Sequence, residues 1–146
     1  MAETPYVGGC LCGALRYEAR GEPQFAGHCY CEDCRKASGS GFMPFMGFAA
    51  AAVTVTGETR HVISRAWNGG EAVRNICPTC GSLVFGGRYG VDDSHTIYAG
   101  SLDRPERFKP TMALFNARRP AWATLPEGVT VFDTMPTGPR PEPQAS

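Results

Sequence analysis

Seven cysteines fall into three short runs, Cys10-x-Cys12, Cys29-x-Cys31-x2-Cys34 and Cys77-x2-Cys80, and no other feature limits this chain so tightly. An odd count argues against a fully paired disulfide framework. A structural zinc site takes four ligands, and a zinc site with three protein ligands keeps one position open. Seven divides naturally into four and three.

The run "CPTCG" at 77–81 is the most specific. Cys-x-x-Cys-Gly forms a knuckle whose two sulfurs reach one metal, and Gly81 relieves the backbone where it turns close to sulfur. A redox dithiol would want a helix after its first cysteine, whereas "SLVFGG" reads as a strand. Residues i and i+2 of an extended segment share a face, so Cys10 and Cys12 are the natural partners of the knuckle. The plainer alternative makes those two ordinary small apolar residues. A four-cysteine site would tie the N-terminal segment to a strand far along the chain, and its metal would contribute directly to folding.

"HCYCEDCRKASG" at 28–39 holds the other three thiols. Strand alternation puts Cys29 and Cys31 on one face, and Cys34 returns to it if a short helix begins near Glu32 and runs through "CRKAS". Three thiolates then converge with no fourth cysteine to close the site, which is the catalytic arrangement of zinc. His28 alternates to the opposite face and reads as a satisfied, non-ligating histidine. His61 and His95 fall in predicted strands and read as surface residues. A zinc ribbon wants roughly 15–20 residues between its Cys-x2-Cys pairs, but 42 residues, 35 to 76, separate Cys34 from Cys77.

A chain of 146 residues fits one domain and buries about 70% of its unfolded surface. Its 14 basic and 14 acidic residues balance, so it lacks the electrostatic footprint of a nucleic-acid or anionic-membrane binder. No stretch approaches the roughly 20 apolar residues of a membrane span, and "MAETPYVGGC" has no charged-then-apolar signal pattern. The expected compartment is the cytoplasm, where thiols stay reduced and clustered cysteines point to metal or catalysis.

Eighteen glycines and twelve prolines cut the chain into short segments, which favours a mainly-β fold with little helix. "GALRYEARG" alternates as a half-buried strand, and "VTVTGETRHVIS" reads as two strands around Gly57. "EAVRNIC", "SLVFGGRY", "HTIYAGSL" and "MALFNA" continue the series. The expected domain covers 1–130, followed by a Pro-rich, disordered tail at 131–146 whose last part is "PTGPRPEPQAS".

Taken in order, "GGCLCGALRYEARG", "HCYCEDCRKASGSGF", "CPTCGSLVFGG" and "NARRPAWATLP" resemble the glutathione-dependent formaldehyde-activating enzyme family, which also includes centromere protein V. The resemblance spans about residues 7 to 126 and rests chiefly on the cysteine pattern. It implies a β-tent fold, in which small antiparallel sheets bend around a structural zinc. Cys10, Cys12, Cys77 and Cys80 match the structural ligands, and Cys29, Cys31 and Cys34 match the catalytic ones. The implied activity is that of a carbon–sulfur lyase joining formaldehyde to glutathione as S-hydroxymethylglutathione. The small "AAAA" stretch at 49–52 departs from the pattern and carries no chemistry.

The partner expected of such a site is a small thiol or aldehyde, with neither nucleic acid nor membrane; the sequence leaves the oligomeric state open. Three thiolates on Zn2+ carry a net charge of −1. Arg35 and Lys36, directly after the cluster, are candidates to offset it or to hold a glutathione carboxylate; a solvated helix face is the alternative. Ser38, Gly39, Ser40 and Gly41 offer a small-residue loop for an anion, and Arg118 and Arg119 are further candidates. Two other function classes compete: a non-catalytic zinc-stabilised binding module, and a chromatin-associated protein. The second would need one contiguous basic face, for example from Arg60, Arg65, Arg74 and Arg88.

Overall fold

Alternating side chains build most of the strands. In the computed structural model, which describes residues 4–136, β1 (Tyr6–Gly9), β2 (Arg16–Ala19) and β5 (Val53–Thr56) form a three-stranded antiparallel sheet in the order β1-β2-β5. The second sheet contains β3 (Phe25–Cys29), β4 (Met43–Ala49), β6 (Arg60–Arg65), β7 (Glu71–Ile76), β8 (Leu83–Gly86), β9 (Ser94–Tyr98), β10 (Met112–Leu114) and β11 (Thr130–Val131). Its order is β11-β10-β3-β4-β9-β8-β7-β6. The fold is mainly β, as expected, although β10 runs parallel to both β3 and β11 within the otherwise antiparallel sheet.

The α-helix expected after Cys31 is α1 (Glu32–Ser38). Cys31 caps its start, with Sγ accepting from the Cys34 N–H at 3.3 Å, and two acidic residues occupy the first turn, where the helix dipole favours negative charge. At the other end the Gly39 N–H returns to the Arg35 carbonyl at 2.8 Å.

The two sheets meet over one core. Tyr6, Leu15, Tyr17 and Val53 from the small sheet pack against Met46, Phe48, Phe85 and Ile97 from the large one, and Tyr6 meets Phe48 edge-on at 5.5 Å. Each fully enclosed side chain such as Phe48 or Ile97 stabilises by about 1.5–3 kcal/mol. The half-exposed Arg16–Asp103 pair is worth at most about 1 kcal/mol. Apolar contact between the sheets therefore supplies most of the energy that holds them together.

Several features lie outside the sequence reading. Strands β3 and β4 carry no clean alternation, because β4 is buried along nearly its whole length. Strands β5 and β6 flank Gly57 as expected but do not pair; each joins a different sheet. His95 is a correction: it is buried, not at the surface, because alternation along β9 puts it on the core side with Ile97. Its Nδ1 lies 3.2 Å from the Gly86 carbonyl. The chain past residue 130 also continues into the fold. Residues 130 and 131 form β11, the Phe132 N–H donates to Ala113 O at 2.9 Å, and the Phe115 N–H donates to Thr134 O at 3.0 Å. Of the proposed tail, residues 137–146 lie outside the described residues.

Gly57 carries the chain from one sheet to the other with φ +103°, and a Cβ there would stand 2.1 Å from the Ala14 carbonyl oxygen. Gly57→Ala should therefore destabilise the protein by about 2 kcal/mol or more. An unchanged urea midpoint would show that the crossing tolerates a side chain.

Candidate metal centre and adjoining cavity

Two loops with the same local design bring four sulfurs together. After β1, the Cys10 N–H donates to Leu15 O at 2.9 Å; after β7, the Cys77 N–H donates to Ser82 O at 3.0 Å. Both loops place a glycine with positive φ straight after their second cysteine, Gly13 after Cys12 and Gly81 after Cys80. Backbone N–H groups aim at the sulfurs: Leu15 N lies 3.2 Å from Cys10 Sγ, and Thr79 N and Cys80 N each lie 3.4 Å from Cys77 Sγ. A bond from Leu11 N–H to Ser82 Oγ at 3.0 Å ties one loop to the other.

The result is a group of Cys10, Cys12, Cys77 and Cys80 whose sulfurs all lie within 4.8 Å of one another. Cys10–Cys12 and Cys12–Cys77 are separated by 3.7 and 3.8 Å. A tetrahedron with Zn–S bonds of about 2.3 Å has edges of about 3.8 Å, so the spacing fits that ion. A hydrogen bond with Ser82 holds the Cys80 thiol down to about 5.

Cys29, Cys31 and Cys34 form the second group, their sulfurs also within 4.8 Å of one another. Cys29 ends β3, clamped between Leu114 of β10 and Met43 of β4. Cys31 caps α1 and Cys34 lies in its first turn. Left to themselves, these thiols divide their protons unequally. Hydrogen bonds from Cys29 and then Cys34 hold Cys31 down to about 3, while the bond to Cys31, reinforced by Cys34 and by burial, pushes Cys29 up. Either group can hold a metal ion, and an all-sulfur donor set favours a soft ion such as Zn2+. His28 belongs to neither group. It stacks on Phe42 at 3.9 Å, with Nδ1 3.2 Å from the Tyr30 hydroxyl, and burial lowers it to about 4.

The three-cysteine group faces a cavity of ≈ 460 Å³, within the range of roughly 300–1,000 Å³ that encloses a drug-sized ligand. Trp67, at the β6–β7 turn, and Phe115 form an apolar wall, their rings edge-to-face at 6.2 Å. Phe115 holds a left-handed backbone, φ 58°, at a cost of about 1–3 kcal/mol, and the hydrogen bond from its N–H to Thr134 secures it. Asp133, Thr134 and Met135 close another side.

Charge reaches the cavity from unexpected places. Arg35 and Lys36 do not line it; Glu32, Asp33 and Cys34 do, because that edge of α1 faces inward. Lys36 pairs with Glu32 at 3.1 Å across an exposed turn, and the loop of Ser38 to Gly41 lies outside the lining. Arg118 lines the cavity, whereas Arg119 turns away to Asn116 Oδ1 at 2.8 Å and Ala123 O at 2.6 Å. The residue that sequence reasoning missed at the cavity is Arg74. Instead of joining a basic surface it is buried, 8% exposed, and projects from β7 toward the cysteines. Arg88 is paired with Glu71 at 2.9 Å. Nothing in "EAVRNIC" marked Arg74 as buried; its neighbours Val73 and Asn75 are buried with it.

A model of the glutathione-dependent formaldehyde-activating enzyme family matches residues 5–118. The chain belongs to that family. A solved structure of a Rhodobacter sphaeroides protein is similar at 20% identity, covering 66% of this chain and 87% of that one, with a TM-score of 0.49. No curated protein matches it significantly.

Two outcomes are expected. Cys77→Ser should give unfolded or insoluble protein, because an incomplete four-sulfur site forfeits the metal's folding energy; a soluble variant with an unchanged melting curve would exclude that role. Metal uptake by the three-cysteine group at pH 7 should release about two protons. Cys31 is already a thiolate there, while Cys29 and Cys34, the latter held up to about 12, are still protonated. Calorimetry in buffers of different ionisation enthalpy measures the number.

Proposed function

We propose that this protein is a zinc-dependent carbon–sulfur lyase-type enzyme that forms or cleaves the adduct of glutathione, or a similar thiol, with formaldehyde or another small aldehyde. One observation carries the reading: three cysteine sulfurs converge on the wall of an open cavity, in a chain of the formaldehyde-activating family. Cys10, Cys12, Cys77 and Cys80 are assigned a structural zinc, and Cys29, Cys31 and Cys34 a catalytic one.

The fit of zinc to these groups rests on their all-thiolate donors and, in the first group, on the sulfur spacing. Zinc held by three thiolates supplies a coordination position that lowers the pKa of an incoming thiol and can polarise an aldehyde oxygen. The chain's own contributions are positional. Cys29, fixed by two neighbouring strands, and Cys31 and Cys34, fixed by a helix cap, present their sulfurs on one side of the cavity. The Trp67 and Phe115 rings give the cavity an apolar wall beside the cysteines, and the enclosure would hold thiol and aldehyde together, replacing a bimolecular encounter by proximity.

The reaction is an addition without redox change. The thiol sulfur bonds to the aldehyde carbon, the carbonyl π pair moves to oxygen, and the proton lost by the thiol ends on that oxygen. Cleavage is the reverse. Seven free cysteines among the described residues suit a reducing compartment and support assignment to the cytoplasm. Among the described residues no helix is long and apolar enough to cross a membrane.

Zinc-loaded protein should accelerate S-hydroxymethylglutathione formation, followed by NMR exchange between free and bound formaldehyde. Cys34→Ser should abolish that acceleration while the melting curve persists. Exchange no faster than in buffer, with two zincs bound, would reduce the protein to a zinc-stabilised binding module.

A further inference from the structure

The cavity contains a cation with no carboxylate of its own. Arg74 is 8% exposed, and none of the ion pairs among the described residues includes it. One nitrogen donates to Ser64 Oγ at 3.0 Å, a neutral acceptor that orients the guanidinium without neutralising it. The Tyr98 hydroxyl lies beside it as a second neutral group. A guanidinium offers five N–H donors in a rigid fork. Burying such a charge is costly unless an anion meets it, and the residue lines both the cavity of Cys29, Cys31 and Cys34 and a second one bordered by Glu71, Asp92 and Asp93, with none of which it forms an ion pair. Its field reaches the Cys34 sulfur.

The remaining charges differ in placement. Arg118 is exposed, and the carboxylates of Glu32, Asp33 and Asp133 stand exposed around the same cavity. The buried cation thus stands inside beside the cysteines, and the carboxylates stand at the rim. The −1 charge of three thiolates on Zn2+ balances Arg74 without ordering its fork; an acid whose thiol reaches the cysteines would bring a carboxylate to the N–H donors that the single bond to Ser64 leaves over.

We infer that Arg74 anchors a carboxylate of the thiol substrate, so that the cavity selects thiols carrying a carboxylate over neutral thiols. This rests on the proposed function for the position of the sulfur, and it adds the residue that sets the charge of the molecule behind that sulfur. Ser64 is the positioning residue that aims the fork.

Calorimetric titration of the zinc-loaded protein tests this with three probes: glutathione, 3-mercaptopropionate and the neutral 2-mercaptoethanol. Arg74→Gln should weaken both carboxylate thiols by about ten- to a hundredfold. Binding of 2-mercaptoethanol, the zinc content and the melting curve should stay as in the parent. Arg74→Lys, which keeps the charge and loses the fork, should show a smaller loss of the same selectivity. Equal weakening of all three thiols, or loss of one zinc, would make Arg74 a counter-charge to the cysteines and overturn the inference. Loss of cooperative melting in both variants would make Arg74 structural and overturn it equally. Undiminished glutathione binding by Arg74→Gln removes the anchor and leaves the proposed function standing. Arg74-dependent binding of 3-mercaptopropionate without any binding of glutathione removes glutathione and leaves the anchor. Parent protein that binds neither carboxylate thiol removes both.

Discussion

The sulfur contact between the loop after β1 and the loop after β7 is the constraint on which the rest of the molecule leans. Cys12 and Cys77 are 65 positions apart, and their sulfurs approach to 3.8 Å. That contact, with the Leu11–Ser82 hydrogen bond and the Gly8–Leu102 bridge, sets how the three-stranded sheet lies on the eight-stranded one. The core of Tyr6, Leu15, Phe48, Phe85 and Ile97 fills the space so defined. Apolar burial is non-directional; a group of four sulfurs held within 4.8 Å of one another is not. The first supplies most of the stabilisation and the second supplies the angle.

The same large sheet places the chemistry. Strands β3, β4 and β10 run side by side and stop Cys29 at the edge of the cavity. Four strands along from β3 in the same sheet, β7 brings Arg74 to the cavity. Cys29 and Arg74 therefore reach one cavity from different strands of the same sheet. Sites built on strands hold their geometry better than sites built on loops, and only Cys31 and Cys34 depend on a short helix.

Legibility followed physical type. The cysteine spacing showed both sulfur groups, because ligand geometry is written into short local intervals. Strands with one wet face, such as β2 and β5, could be seen in their alternation. Strand β4, "MPFMGFA", could not, since burial on both faces removes the period. His95 was misjudged as a surface residue and Arg74 was missed at the cavity, for a shared reason. Polarity predicts exposure only where nothing inside asks for a polar group, and one lies against a backbone carbonyl while the other faces a cavity. Arg35 and Lys36 were favoured by closeness in sequence, but the rotation of a helix decides which of five adjacent residues face inward. Phe132 and Met135 were hidden among prolines and glycines, yet both pack beside the three-cysteine group.

That last placement has a consequence for how the protein is made. The three cysteines leave the ribosome about a hundred residues before Asp133, Thr134 and Met135, and synthesis adds roughly 5–20 residues per second. For several seconds the three thiols exist without the segment that later borders their cavity. An ion meeting the nascent chain in that interval has an open approach to all three sulfurs, and the closing segment is laid over them afterwards.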